Sequence, residues 1–203
     1  MELHYCEQRT DEWFALRTGR MTASDFQTMA SVTPSVREKL CLKTAAEIIT
    51  GQRAEGFKTT AAMQHGIDTE DEAREQYSAT AFEFVEEVGF ISEGDYLGCS
   101  PDGLIGDDGG VEIKCPQMAT HLSYVLKGDK AWKAYKWQVQ GSLWVTGRSW
   151  WDWVSYCPQF GEQGLIIQRV IRDDEMFAKL ESGSKLCIKR IEEIVKAAKG
   201  ESQ

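Results

Sequence analysis

The chain has 203 residues, 42% of them hydrophobic, and a formal net charge of −9. That length supports one substantial core, read as a single domain over 1–203. It holds no apolar run of the roughly 18 residues a membrane span needs, and its first residues are too acidic for a secretory signal, which predicts a cytoplasmic location. The acidic balance argues against a broad basic outer surface but leaves room for a nucleic-acid groove, because binding follows the local field rather than the global sum.

Thr10 is placed to cap a short helix bearing Trp13, Phe14 and Leu16. Ser35, with Glu38 three residues on, has capping-box spacing ahead of a helix over 36–49 that Gly51 stops. Arg53 and Lys58 fall in the loop that follows and suggest no role. The next helix is expected over 60–79. There Gly66, Glu70, Ala73 and Tyr77 recur on one face, while Asp68, Asp71, Glu72 and Glu75 fall off it toward solvent. Strands are expected at 82–88, 90–92 and 97–100. Asp107-Asp108-Gly109-Gly110 reads as a hairpin turn into a strand over 111–115. Helices follow at 118–126 and 130–146, with Gly147 as the stop. Aromatic and β-branched runs at 150–156 and 165–171 read as strands, and an amphipathic helix covers 173–198. This order fits an α/β layered fold with a central mixed β-sheet flanked by helices.

Six cysteines form no CxxC pair, so zinc and iron–sulfur sites are unsupported and the thiols read as reduced and buried. Six of the seven tryptophans fall between 132 and 153. They read as core and subunit packing rather than base stacking. Lys127, Lys130, Lys133 and Lys136, interleaved with them, fit either a phosphate track or a solvated face. The segment from Met118 to His121 is a candidate DNA contact.

The chemistry concentrates in Ser100-Pro101-Asp102-Gly103 and Glu112-Ile113-Lys114. Strand alternation points Glu112 and Lys114 the same way and Ile113 into the core. A hairpin turning at 107–110 brings Asp102 beside Glu112. Two carboxylates and the Ile113 carbonyl offer hard oxygen ligands suited to Mg²⁺, with Mn²⁺ as an alternative. Such an ion activates water and polarises a phosphoryl group. Lys114 can position or deprotonate that water, or neutralise phosphate charge. Glu70 is a candidate for a further ligand. The bland alternative is a hairpin whose two acids and lysine form an ordinary salt bridge.

With these residues the chain resembles the phage lambda exonuclease family, the YqaJ-type viral recombinases or alkaline exonucleases of the PD-(D/E)XK superfamily. The likeness rests on Trp13 with Leu16-Arg17-Thr18-Gly19 and Thr22-Ala23-Ser24, and on Gly66 through Glu70 with Ala73-Arg74. It continues through Cys99 to Leu104, Glu112 to Pro116, Gln138-Val139-Gln140 and Trp144-Val145-Thr146. The resemblance implies a restriction-endonuclease-like core and Mg²⁺-dependent digestion of the 5′-ended strand from duplex DNA ends, leaving 3′ single strands. It implies a homotrimer around DNA, a phage single-strand annealing protein as partner, and a phage or prophage origin in a bacterial host. By position, Asp102, Glu112 and Ile113 would hold metal, Lys114 would be catalytic, and Glu70 and Gln138 would complete the site. Arg17, Ser24 and Ser100 would hold the 5′-phosphate. His65 departs from the aromatic residue of the lambda protein and reads as packed or partly exposed. Competing functions are an end-independent or structure-specific endonuclease on the same core, and an inactive DNA-end-binding module.

Overall fold

The computed structural model describes residues 1–54 and 60–200, so Lys58 lies outside the described residues. In chain order the elements are β1 (Glu2–His4), α1 (Asp11–Arg17), β2 (Met21–Thr22), α2 (Phe26–Met29), α3 (Pro34–Thr50) and α4 (Ala61–Ala81). Then come β3 (Val85–Glu86), β4 (Phe90–Glu93), β5 (Leu97–Cys99), β6 (Gly103–Ile105) and β7 (Gly109–Lys114). They are followed by α5 (Met118–Lys127), a 3-10 segment (Gly128–Tyr135), α6 (Lys136–Thr146), β8 (Trp150–Tyr156), β9 (Leu165–Ile171) and α7 (Asp174–Ala198).

Local chemistry explains most of these boundaries. The Thr10 hydroxyl accepts from the Trp13 N–H and starts α1, with Asp11 and Glu12 in the first turn and Arg17 in the last. Thr60 caps α4 in the same way. Helix α3 differs from expectation: it begins at Pro34, with Thr33 as its cap and Ser35 inside the first turn. Proline at the first helical position needs no N–H partner and arrives with a helical φ. The expected strand at 82–88 shrinks to Val85–Glu86, because Phe82 takes a left-handed φ of 57° as the C-cap of α4. The expected helix at 130–146 is broken, since the 3-10 segment runs to Tyr135, whose ring stacks on Trp153.

Two sheets form. The larger is mixed, in the order β3-β6-β7-β8-β9, with β7 and β8 parallel. The smaller, in the order β1-β4-β5-β2, was not anticipated. The hairpin between β6 and β7 pairs Ile105 with Gly109, so its turn is shorter than expected and Gly109 and Gly110 belong to the strand. A side chain on Gly110 would sit 2.3 Å from the Trp151 ring, and one on Gly109 2.1 Å from Trp150. The two glycines are there to let tryptophans of β8 lie over the strand.

The two faces of β7 are both covered. Helix α4 packs Ala73 and Tyr77 against Val111, Ile113 and Val154. On the other side Trp151 and Trp153 join Phe26, Val139, Leu143 and Leu180 in the main core. Trp132, Trp137 and Trp144 pack against that core, as expected, and Lys127, Lys130, Lys133 and Lys136 are exposed. Among the described residues, no helix is long and apolar enough to cross a membrane.

Candidate active site

The site lies where the chain passes between the two sheets. Ser100-Pro101-Asp102 carries it from β5 to β6, and Glu87-Val88-Gly89 carries it from β3 to β4. Two side chains pin both crossings together. The Trp13 indole N–H donates to Gly89 O and to Ser100 Oγ, each at 2.9 Å. Arg74 donates to Asp102 O at 3.3 Å and pairs with Glu87 at 3.2 Å. Trp13 and Arg74 stood in the motifs of the sequence without a role; their spacing from Ser100 and Glu87 along the chain gave no signal of one.

Asp102 then meets β7. The pairing of Gly103 with Val111 sets it opposite the Glu112–Ile113 step, and its Oδ2 accepts from the Ile113 N–H at 2.6 Å. Glu112 is 1% exposed. Its Oε1 accepts from the Lys114 ammonium and the Gln138 amide, while its Oε2 is buried with no partner among the described residues. The Lys114 ammonium also stands 5.3 Å above the Tyr135 ring. Four of the expected residues, Asp102, Glu112, Lys114 and Gln138, are therefore gathered at one end of β7.

Burial dominates the electrostatics. It raises Asp102 well above the ordinary carboxyl range; Glu112 and Glu70 add to that, against the opposing Lys114 ammonium and Ile113 N–H. Burial likewise raises Glu112 despite Lys114. For Lys114, burial favours the neutral amine, but Glu112 and Asp102 overcome it and the net shift is upward. Two desolvated carboxyls of like sign, one with an orphaned oxygen, form a site short of positive charge. That donor set fits a hard divalent cation.

Glu70 is placed differently. It reaches the site from α4, on the Ile113 side of the sheet, and its two oxygens face Arg9 at 3.0 Å and Arg74 at 3.4 Å. Among the described residues, no three Asp, Glu, His or Cys side chains form a ready metal-binding group. His65 is partly exposed, its carbonyl accepting from Thr69. His121 is fully buried, held by Ser155 and the Gln163 carbonyl at 2.9 Å each.

Ser100 faces a second basin. Arg17 donates to Ser100 Oγ at 2.9 Å and to Thr22 Oγ1 at 3.2 Å, and Thr22 lies 3.1 Å from Ser24 Oγ. The Arg17 guanidinium stacks 4.2 Å from the Trp13 ring. Burial lowers Arg17 to about 10, partly offset by Asp25. A half-buried guanidinium whose hydrogen bonds, among the described residues, go to hydroxyls suits an added anion. Thr22 is a member that the sequence reading missed, although it stands two residues before Ser24. Ser24 does not open a helix; α2 begins at Phe26 behind Asp25.

Fold and site together define a nuclease. The sequence matches the model of the YqaJ-like viral recombinase domain over residues 12–149, more than half the chain. The chain belongs to that family, as the resemblance implied. Its fold is similar to that of the alkaline exonuclease LHK-Exo from Laribacter hongkongensis, at 32% identity over 95% of this chain and 97% of that one, with a TM-score of 0.80. A structure of LHK-Exo in complex with dAMP matches equally, at a TM-score of 0.81, 32% identity and the same coverage. A phage related exonuclease from Haemophilus somnus 129PT shares the fold at a TM-score of 0.66 and 14% identity, over 88% of this chain and 96% of that one. No curated protein matches the chain.

Proposed function

We propose that this nuclease is a Mg²⁺-dependent 5′→3′ exonuclease that hydrolyses the 5′-ended strand of duplex DNA and leaves a 3′ single strand for annealing-type recombination. One observation carries the reading. The acid–lysine cluster of Asp102, Glu112 and Lys114 and the anion basin of Arg17, Thr22, Ser24 and Ser100 share a single tripeptide, Ser100-Pro101-Asp102. A terminal phosphate in the basin would therefore set the adjacent phosphodiester against the carboxylates. The exonuclease naming of the relatives and the dAMP bound by one of them support the same reading.

In the reaction, a water oxygen forms a bond to phosphorus, the P–O3′ bond breaks, and the 3′ oxygen takes up a proton. The products are a 5′-mononucleotide and a strand with a new 5′-phosphate. Asp102, Glu112 and the Ile113 carbonyl would hold Mg²⁺ or Mn²⁺, with Glu70 as a further ligand once released from its arginines. When bound, the ion supplies Lewis-acid polarisation of the phosphoryl group and an acidified water. Lys114, oriented by Glu112 and Tyr135, carries positive charge toward the phosphate and orients the water. Gln138 fixes the Glu112 carboxylate in its rotamer. Arg17 then receives the new 5′-phosphate, which makes end-dependence a property of the site. The reading extends to a homotrimer around the duplex and a phage single-strand annealing partner. Leu126, Ile171 and Phe84, each at least 70% exposed, supply apolar surface for subunit contacts.

The test uses linear duplex with and without a 5′-phosphate, and closed circular duplex, each with Mg²⁺. Loss of linear DNA alone, fastest with the phosphate, is expected. Nicking of circles supports an endonuclease instead, and absence of hydrolysis supports an end-binding module. Lys114→Ala is expected to keep duplex binding and lose roughly two to three orders of magnitude in rate; undiminished cleavage by it refutes the role of Lys114.

A further inference from the structure

Arg9 adopts a φ of 71°, one of two left-handed non-glycine residues among those described, and the other, Phe82, is an ordinary helix cap. A side chain makes that region unfavourable, and such outliers persist where neighbours over-determine them. Here they do. Gln8 Nε2 donates to Pro101 O at 2.9 Å, on the crossing that carries Asp102. Thr10 Oγ1 donates to Glu7 O at 2.7 Å while capping α1. The turn through Arg9 is thus closed by Thr10 and anchored by Gln8 to the crossing that carries Asp102, and the Arg9 side chain lines two clefts.

Those clefts, about 520 and 450 Å³, flank Glu70. The first is lined by Arg74, Gly89 and Asp102, the second by Trp13, Lys114 and Tyr135, and Arg9 and Glu70 line both. The cations around them are unequal. The Arg74 side chain is 14% exposed and pairs with Glu70, Asp71 and Glu87. Lys114 is engaged by Glu112, and half-buried Arg17 is held by Ser100 and Thr22. Arg9 is 35% exposed and meets Glu70 through one terminal nitrogen. A guanidinium has five N–H donors in a planar fork. Its remaining donors can reach a phosphodiester oxygen whether or not Glu70 stays paired with it. A glycine would satisfy this backbone without strain, so the head group is what the position uses.

We propose that Arg9 binds a backbone phosphate of the DNA strand lying across the two clefts, and so positions that strand over Asp102 and Glu112. The inference rests on the nuclease reading above and assigns Arg9 as a substrate-positioning residue.

The test is fluorescence anisotropy with a 5′-phosphorylated duplex in EDTA, over a salt series, together with melting temperatures. Arg9→Gly and Arg9→Ala are each expected to weaken binding roughly tenfold and to make the log–log salt dependence shallower by about one. Their melting temperatures should diverge, with Arg9→Gly above wild type because glycine tolerates the backbone and Arg9→Ala no higher than wild type. Arg9→Lys should restore the salt slope. Equal affinity and slope in wild type and Arg9→Gly, or binding that simply tracks melting temperature across the variants, overturns the proposal. A wild-type protein that neither binds nor digests duplex overturns the nuclease reading itself, a distinguishable result.

Discussion

Replacing Asp102 with asparagine separates the carboxyl's charge from its structural role. The side chain keeps its shape, and its amide oxygen can still accept from the Ile113 N–H, a bond of 2.6 Å in the native chain. What it loses is a charge that burial and Glu112 disfavour. The native carboxyl titrates above its unfolded value of 3.8. A carboxyl raised by folding stabilises the fold while protonated, and that contribution is lost as pH rises from about the unfolded value through the folded one. Without metal, Asp102→Asn should therefore melt above wild type at pH 7, with the difference vanishing near pH 4. Metal reverses the order. At a concentration one hundred times its Kd, Mg²⁺ adds about 2.7 kcal/mol to a protein that binds it only when folded. For a chain of this size that is about 5–11 °C, and the asparagine variant should gain almost none of it. Cleavage should fall by about three orders of magnitude, the several kcal/mol expected of a lost metal centre. Thermal melts from pH 4 to 8, with EDTA and with a Mg²⁺ series, read all of this. Equal Mg²⁺-induced shifts in the two proteins, or a metal-free variant no more stable than wild type at pH 7, would refute the reasoning.

Arg17→Ala should remove the preference for a 5′-phosphorylated end while sparing slow cleavage of unphosphorylated duplex; a variant that still discriminates the two ends by rate shows that the basin does not hold the phosphate. Asp152 is 1% exposed and accepts from Tyr77 at 2.7 Å and twice from Arg169 at 2.9 Å. Asp152→Ala should cost about 2–3 kcal/mol in urea denaturation, the low end for a broken buried pair because Arg169 is half exposed and recovers water; a loss under 1 kcal/mol contradicts this. Gly110→Ala places a methyl 2.3 Å from the Trp151 ring and should cost about 1–3 kcal/mol, with a parallel loss of Mg²⁺ affinity as β7 shifts; calorimetry that finds unchanged affinity separates the strand from the site.

Much of this was legible because it is local. The Thr10 cap, the Gly66–Tyr77 face of α4 and the alternation along β7 depend on spacing alone, and β8 and β9 fall on the expected residues. What was missed depends on partners far along the chain. Strands β1 and β2 have three and two residues, too few to show a period, and exist because β4 and β5 pair with them. The Gly109-Gly110 pair looked like a turn and is strand, since the reason for two glycines lies in Trp150 and Trp151 some forty residues on. Asp102, Glu112 and Lys114 were found by their chemistry, and Gln138 by its position in the family resemblance. Arg9 was not, because its significance lies in a backbone angle and in Glu70, and neither is written in its neighbours.

The acidic chain and a phosphate-binding site are reconciled by how charges are distributed around the two sheet crossings. Several acids near the cleft have a cation held against them: Glu112 has Lys114, Glu70 has Arg9 and Arg74, and Asp25 has Lys43. Asp102 is bonded instead to a neutral backbone N–H, and burial disfavours its charge. On the proposed reading, Asp102 and Glu112 would share a divalent ion, and Lys114, which Glu112 holds, is the cation beside them that would be left for a phosphate. The same few side chains would then serve metal and DNA, while the chain's net charge of −9 would disfavour DNA on its acidic outer surfaces.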